Sequence, residues 1–196
     1  MSKNNNVFTL LGASNHALSE RESVDYYATN PRAVEIFLDK IKEDGIILPK
    51  EICEPACGGG HISETLKRYG YNVYSTDLYN HGYGEIGFDF LESDTKSDCI
   101  FTNPPYKLAL QFVKKAIENT NENGYVIMFL RIQFLEGKER YNFFKENPPK
   151  YVYVNSSRQI CSKNADFDNY KSSAVCFVWF IWQKGFNGET TVRWIK

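Results

Sequence analysis

The fold is decided by the stretch EICEPACGGGH, residues 51–61, in which a short apolar strand runs directly into three glycines. Residues 62–69 follow with the apolar spacing of a helix. A strand, a glycine-rich loop and a helix in this order begin a Rossmann-like sheet. The spacing is not Gly-x-Gly-x-x-Gly, and no Lys-Ser/Thr pair follows, so the loop is not a P-loop. Glycines at this point let the backbone approach a ligand closely.

Two acids follow at positions where strands are predicted to end. The second strand, residues 72–76, stops at Asp77, which lies 17 residues beyond Gly60. An acid at the end of the second strand can accept hydrogen bonds from both ribose hydroxyls of a nucleoside. Asp89, which precedes Phe90, is the next acid with apolar neighbours. The alternative for each acid is an ordinary polar residue of a turn.

A second motif, TNPPY, occupies residues 102–106 after a short apolar run that is predicted to be a buried strand. Two prolines end the strand sharply and stiffen the loop. The Asn103 side-chain oxygen and the Pro104 carbonyl can accept hydrogen bonds, and Pro105 has no N–H to compete for that carbonyl. Tyr106 offers a flat face on which a base can stack.

This loop suits methylation of an amine conjugated to a ring or a carbonyl. Such a nitrogen is a poor nucleophile because its lone pair is delocalised, and two fixed acceptors on its N–H groups would favour a tetrahedral shape. Preorganised polar groups of this kind are each worth roughly 10²–10³ in rate. The alternative is a strand followed by a plain Pro-Pro turn.

The Asn-Pro-Pro-Tyr motif at 103–106 resembles the signature of S-adenosylmethionine-dependent methyltransferases that act on exocyclic or amide nitrogens. DNA adenine methyltransferases are the best-known members. Glu54 and Pro55, followed by glycines about fifty residues upstream of that motif, resemble the first cofactor motif of these enzymes. The length and the Trp-rich end are similar to those of small phage and prophage members. The resemblance covers about residues 25–182.

The resemblance implies S-adenosylmethionine as the cofactor. A Thr before a helix of residues 32–43, here Thr29, helps hold the methionine end of the cofactor in similar enzymes, although Thr-x-Pro is also an ordinary helix cap. An Asp-Phe pair, here at 89–90, receives the cofactor's adenine amine and packs its ring. The implied cofactor-binding residues are Thr29, Glu54, Pro55, Ala56, Gly58, Gly60, Asp77, Asp89, Phe90 and Asn103.

The resemblance also implies direct methyl transfer to an adenine that is flipped out of duplex DNA. The catalytic residues are then Asn103, Pro104, Pro105 and Tyr106, and neither a metal nor a covalent intermediate is needed. Residues 155–173 form a polar stretch that is free for target recognition or is simply a solvated loop. The predicted substrate-binding residues are Tyr106, Arg158, Lys163, Phe167, Tyr170 and Lys171.

Other substrates stay open at this point. An RNA adenine methyltransferase, a cytosine methyltransferase and a protein that binds the cofactor without turnover are alternatives. Protein-glutamine methyltransferases use the same loop, but they add an N-terminal helical domain that residues 1–24 are too short to form. Because a stretch as short as 155–173 can read few base pairs, we expect short or relaxed specificity.

The predicted fold is α/β: a Rossmann-like class I methyltransferase fold. We expect a mixed, mainly parallel sheet of seven to eight strands with helices on both faces. The first five strands should alternate with helices, and the tail should be antiparallel, with a hairpin turn at 185–188 before an edge strand at 190–195. A chain of 196 residues, 42% hydrophobic, suits one domain at 25–196 after a loosely ordered segment at 1–24.

The charge is divided unevenly along the chain. The net charge is −1, but residues 1–100 carry 9 Lys/Arg against 16 Asp/Glu, whereas residues 101–196 carry 14 against 8. The basic half begins at the Asn-Pro-Pro-Tyr loop, so a polyanion would be steered toward it. Chance asymmetry on a solvated surface is the alternative.

The remaining composition excludes several classes of protein. Five cysteines without a Cys-x-x-Cys pair, most of them in apolar runs, indicate reduced core residues of a cytoplasmic protein. Three histidines without ligand spacing argue against a zinc site. The N-terminus has no signal-peptide pattern, and the longest apolar run, residues 174–182, is too short to span a bilayer. The sequence does not predict an oligomeric state.

Overall fold

The computed structural model of the chain describes residues 27–159, 161–163, 167 and 175–196. The predicted N-terminal segment 1–24 lies outside the described residues.

Ten strands and four α-helices make up the described chain. The strands are β1 (Tyr27–Thr29), β2 (Glu51–Glu54), β3 (Asn72–Asp77), β4 (Glu85–Ile86), β5 (Ser97–Thr102), β6 (Thr120–Arg131), β7 (Tyr151–Asn155), β8 (Cys161–Lys163), β9 (Phe177–Gln183) and β10 (Thr191–Ile195). The helices are α1 (Pro31–Glu43), α2 (His61–Arg68), α3 (Ala109–Asn119) and α4 (Lys138–Glu146). Short 3-10 helices lie at Phe90–Glu92, Tyr106–Leu108 and Ile132–Leu135.

Eight strands form one sheet in the order β10-β7-β9-β6-β5-β2-β3-β4. Strand β9 is antiparallel to both of its neighbours, and the other pairs in the sheet are parallel. This confirms the predicted Rossmann-like α/β fold with a mixed, mainly parallel sheet. A separate two-stranded antiparallel ribbon joins β1 to β8.

Helices cover both faces of the sheet, as predicted. Along β6, Val126 and Met128 pack into the cluster that contains residues of α3 and α4. The alternate residues Ile127 and Phe129 pack into the cluster that contains residues of α1 and α2. Successive strand side chains point to opposite faces, so a strand covered on both sides needs a continuous apolar run. Buried Trp179 of β9 lies in the second cluster, 4.5 Å from Phe129 between ring centroids.

The predicted hairpin at 185–188 is wrong, because β10 does not pair with β9. Both edges of β9 are already occupied, by β6 and by β7. The chain therefore crosses over β7 and adds β10 in parallel on its free edge. An ion pair of 2.8 Å between Arg193 and Asp44 ties β10 to the end of α1, and the Tyr153 hydroxyl donates a hydrogen bond to the same carboxylate.

The predicted alternation of the first strands with helices fails between β3 and β5. The described chain has no α-helix there, only the 3-10 helix Phe90–Glu92. Gly82, Gly84 and Gly87 all have positive φ in this segment. Such a backbone interrupts a helix, so the chain crosses the sheet edge through turns and the two-residue β4.

The segment 155–173 contains an element that the sequence did not predict. Strand β8 lies in it and pairs with β1, with Thr29 opposite Cys161. Part of the candidate recognition loop is therefore built into a ribbon that also carries Thr29. Tyr170 and Lys171 lie outside the described residues.

Candidate active site

The candidate site lies where three neighbouring parallel strands end. Strand β2 pairs with β3 on one side and with β5 on the other. Because the carboxyl ends of parallel strands meet at one edge of a sheet, the glycine loop, Asp77 and the Asn-Pro-Pro-Tyr loop lie side by side.

The side chain of Asn103 has a fixed orientation. Its Nδ2 donates to the Tyr27 carbonyl and to Thr29 Oγ1, at 3.0 Å each. A backbone carbonyl can only accept a hydrogen bond, so the amide nitrogen must face β1 and Oδ1 must face away from it. Asn103 Oδ1 is buried and has no hydrogen-bond partner among the described residues.

An unpaired buried acceptor costs about 1–3 kcal/mol, and a ligand that donates a hydrogen bond would remove that cost. Asn119 and Asn155 also bury an unpaired Oδ1, but these residues are only 0% and 6% exposed. Asn103 is half-buried, in a loop at the strand ends. It is therefore the one of the three that is placed to meet a ligand.

The other predicted acceptor, the Pro104 carbonyl, is also available. Pro104 is buried, and within the described part of the chain no N–H donates to its carbonyl. The Pro105 carbonyl, by contrast, accepts from Leu108 N at 2.9 Å, which closes the turn into the 3-10 helix. Two acceptors one residue apart are thus left at the end of β5.

Tyr106 is more enclosed than a free stacking platform would be. Its ring stacks on Tyr27 with centroids 5.4 Å apart, and the Arg131 guanidinium lies 4.4 Å from its centroid. Phe177 packs at 5.7 Å. Burial raises the pKa of the Tyr106 hydroxyl far above its ordinary value. A base can stack on this ring only if Tyr27 or Arg131 moves aside.

Asp77 holds the glycine loop in place. Its Oδ2 accepts from Gly58 N at 2.8 Å, and its Oδ1 accepts from Tyr79 N at 2.9 Å. A carboxylate has about four lone-pair sites, so both oxygens keep capacity for ribose hydroxyls. The side chain thus has a structural role beside its predicted one.

Gly60 is required by the backbone and by packing. Its φ is +80°, and a Cβ at this position would lie 2.5 Å from the Tyr83 ring. It also precedes α2 as the N-cap residue. Only glycine fits a left-handed backbone pressed against a ring in this way.

The side chain of Glu54 is buried and contacts neighbouring residues of the protein. It is 1% exposed and accepts a hydrogen bond from the Ser63 hydroxyl of α2, which also contacts Ser75 Oγ of β3. This chain of polar contacts joins β2, α2 and β3 beneath the glycine loop. Burial raises the pKa of Glu54 well above its ordinary value of 4.5. The structure therefore places Glu54 as a support of the loop.

Replacing Glu54 by glutamine is expected to change how stability depends on pH. Because the folded-state pKa is raised, the folded protein binds this proton more tightly than the unfolded chain. The resulting stabilisation is complete below 4.5 and is lost as pH rises through the folded pKa. Urea unfolding of both proteins across a pH series should show the wild type losing stability relative to Glu54→Gln as pH rises. Parallel curves would contradict a raised pKa of the buried Glu54 carboxyl.

The predicted Asp89-Phe90 pair is split between surface and core. Asp89 is exposed and caps the 3-10 helix by accepting from Leu91 N at 3.0 Å. Phe90 is 4% exposed and packs against Phe112 of α3, with ring centroids 5.3 Å apart. Asp89 is thus accessible to a ligand, whereas the Phe90 ring mainly fills the core.

The described residues among those predicted to bind the substrate lie in different elements of the fold. Arg158 is exposed just after β7, and Lys163 lies opposite Tyr27 in the ribbon. Phe167 meets His61 at the start of α2, with ring centroids 5.5 Å apart, so it lies beside the glycine loop.

Sequence reasoning missed four of the residues that contact the loop: Tyr27, Arg131, Phe177 and Cys161, whose Sγ lies 3.8 Å from Asn103 Nδ2. A charged residue directly after the apolar run of β6 was the available signal for Arg131.

The described residues contain no group of three or more His, Cys, Asp or Glu that could hold a metal ion. Nor does any helix among them have the length and apolar character needed to cross a membrane.

No protein-family model and no curated protein matches the sequence. The fold does match solved structures. A proposed class I S-adenosylmethionine-dependent methyltransferase from Listeria monocytogenes is 15% identical with a TM-score of 0.62, over 96% of this chain and 70% of that chain. A proposed RNA methyltransferase from Pyrococcus horikoshii is 15% identical with a TM-score of 0.62, over 90% and 95%.

A third similar structure is the methyltransferase subunit of a type I restriction-modification system from Streptococcus thermophilus. It is 14% identical with a TM-score of 0.63, over 86% of this chain and 47% of that chain. At these identities the likeness concerns the fold. The chain has the fold of class I methyltransferases, and the similar structures include a restriction-modification methyltransferase subunit and a proposed RNA methyltransferase.

Proposed function

We propose that this protein is an S-adenosylmethionine-dependent methyltransferase that methylates the exocyclic amine of adenine in DNA, with short or relaxed specificity. The observation that carries the proposal is that the buried Oδ1 of Asn103 and the neighbouring Pro104 carbonyl have no hydrogen-bond partner among the described residues. Both acceptors lie at a strand end next to the glycine loop of a class I methyltransferase fold.

The residues present fit the cofactor. Asp77 keeps acceptor capacity for the ribose, Asp89 is exposed beyond β3, and the glycine loop lets the backbone approach an amino acid. Bound S-adenosylmethionine supplies an electrophilic methyl group that leaves its sulfur for the attacking nitrogen, giving S-adenosylhomocysteine. Glu54 and Ser63 would support the loop without touching the cofactor.

Asn103 and Pro104 have the decisive part in this mechanism. Their oxygens accept hydrogen bonds from the two N–H groups of the target amine, which frees the nitrogen lone pair and fixes its direction. As the new N–C bond forms, the amine loses one proton to solvent. Acceleration then comes from positioning and from preorganised acceptors.

Thr29 is a positioning residue in this proposal, because its hydroxyl holds the Asn103 amide at 3.0 Å. Thr29→Val should lower kcat about 2- to 10-fold, the value of one net hydrogen bond, while Thr29→Ser should keep it. Single-turnover methylation at saturating cofactor measures this, and calorimetry with S-adenosylhomocysteine is run alongside. A loss confined to cofactor affinity would instead favour contact with the methionine end and contradict the positioning of Asn103.

The substrate is tested by incubating the purified protein with methyl-labelled cofactor and duplex DNA, single-stranded DNA, RNA or a glutamine-containing peptide. Hydrolysis and mass spectrometry then identify the methylated unit. We expect 6-methyladenine in DNA. Methylation of RNA or peptide with none on DNA would overturn the proposal. Detection of 4-methylcytosine would show that the target is the exocyclic amine of cytosine and not that of adenine.

Specificity is tested by sequencing treated DNA for 6-methyladenine. Reading a long site usually takes several side chains in the major groove, each bidentate pair giving about 1–3 kcal/mol. Part of the segment 155–173 is already used in the ribbon. We therefore expect a target of about two or three bases, and methylation confined to a motif of five or more base pairs would contradict this.

A further inference from the structure

Arg131 lies at the carboxyl end of β6, beside the candidate catalytic loop. Strands β5 and β6 run in parallel with Thr102 opposite Met128, so the end of β6 extends along the loop that follows β5. The Arg131 guanidinium lies 4.4 Å from the Tyr106 ring centroid, and the residue is exposed. A cation is thus held at the mouth of the site.

Among the described residues, no carboxylate lies within ion-pair distance of the Arg131 guanidinium. Arg32, Arg68 and Arg193 each have such a partner, Glu35 for the first two and Asp44 for the third. Arg140 also lies over a ring, that of Phe134, but it donates to the backbone carbonyls of Glu136 and Gln133. Within the part of the chain that the structure describes, the Arg131 guanidinium has the ring contact and no hydrogen-bond or ion-pair partner, so its N–H donors are available to a ligand.

We propose that Arg131 binds a backbone phosphate of the DNA next to the target nucleotide. The proposal rests on the proposed function and names a residue that positions its substrate. A planar guanidinium matches the oxygens of a phosphodiester through paired hydrogen bonds. The amide of a protein substrate would leave the charge without a partner.

Phosphate binding by Arg131 also affects Tyr106. The guanidinium covers part of the ring on which a base would stack. When it turns to a phosphate, it leaves that part of the ring to the base. Binding of the DNA phosphate and stacking of the base on Tyr106 are therefore coupled through the Arg131 side chain.

Arg193 supplies a matched control. Its guanidinium lies 4.5 Å from the Tyr151 ring centroid, almost the geometry of Arg131 over Tyr106, but Asp44 neutralises it at 2.8 Å. Arg193→Gln and Arg131→Gln remove the same charge from the same kind of ring contact. We expect Arg131→Gln to weaken DNA binding and keep stability, and Arg193→Gln to lower stability and keep DNA binding.

The test measures binding of a fluorescent duplex of mixed sequence across a salt series, with thermal unfolding recorded for each variant. Each phosphate neutralised contributes about 0.9 to the slope of log affinity against log salt. Arg131→Gln should lower that slope by about one, raise KM for DNA about tenfold with a smaller effect on kcat, and leave the unfolding temperature nearly unchanged. Arg193→Gln should lower the unfolding temperature and keep the slope. Arg131→Lys, which keeps the charge, should restore most of the slope.

The outcomes separate this inference from the proposed function. If the wild type methylates DNA but Arg131→Gln keeps the wild-type slope and KM, the phosphate role of Arg131 is wrong and the function stands. If Arg131→Gln lowers the unfolding temperature as Arg193→Gln does and leaves the slope unchanged, Arg131 is structural. If the wild type neither binds nor methylates DNA, both are overturned.

Discussion

Asn103→Ala is expected to lower methyl transfer about 10²–10³-fold while leaving the affinity for S-adenosylhomocysteine nearly unchanged. The reason is that Oδ1 of Asn103 has no partner inside the described protein and is proposed to act on the target amine. Its Nδ2 contacts β1 and Cys161 and so is turned toward the protein. Single-turnover methylation of DNA measures the chemical step, and calorimetry measures the cofactor.

Asn119→Ala is the matched control for this variant. Asn119 also buries an unpaired Oδ1 and donates through Nδ2 to a carbonyl, that of Ser93 at 2.8 Å. It ends α3 directly before β6 begins, so it lies at the opposite edge of the sheet. Its loss should reduce stability and spare turnover of the folded protein. Near-normal turnover by Asn103→Ala would exclude the proposed mechanism.

Asp77→Ala is expected to weaken S-adenosylhomocysteine binding by about 10- to 150-fold, which corresponds to about 1.5–3 kcal/mol for hydrogen bonds to a charged group. Two causes act together. The ribose would lose its acceptor, and Gly58 N and Tyr79 N would lose the carboxylate that holds the glycine loop. Isothermal titration calorimetry measures the change directly.

Asp94→Ala provides the comparison, because Asp94 is a carboxylate on the same half of the chain whose side chain is 92% exposed and pairs with Lys115. A surface ion pair of this kind is worth little, so binding should be unaffected. Asp89→Ala tests the other predicted contact of the cofactor. If cofactor affinity is unchanged in both Asp77→Ala and Asp89→Ala, the cofactor site lies elsewhere.

The motifs could be predicted from sequence because each depends on local chemistry. Glycines permit the left-handed turn at Gly60, and consecutive prolines end β5. The sequence of the loop predicts that the Asn103 side-chain oxygen is an acceptor for the substrate, and among the described residues this oxygen has no hydrogen-bond partner. The roles of the individual site residues stay predictions until they are measured.

The enclosure of the site could not be predicted in this way. The contact of Thr29 with Asn103 spans 74 residues, and Tyr27 reaches Tyr106 through a ribbon with β8. Glu54 is an ordinary strand-end acid in the sequence, and only the placement of Ser63 makes it an internal support. No periodic pattern in the sequence indicates contacts between residues that are so far apart along the chain.

By itself, the sequence determined the parallel core of the sheet, its helices on both faces and the two loops that meet at its carboxyl edge, because apolar period and turn residues act over a few neighbours. Only the tertiary structure decided that β10 joins β7, that Phe90 faces the core and that Arg131 lies over the Tyr106 ring. These features depend on which edges and surfaces other elements have already occupied. Which element takes each position depends on the packing of the whole chain, so the local sequence carries no signal for it.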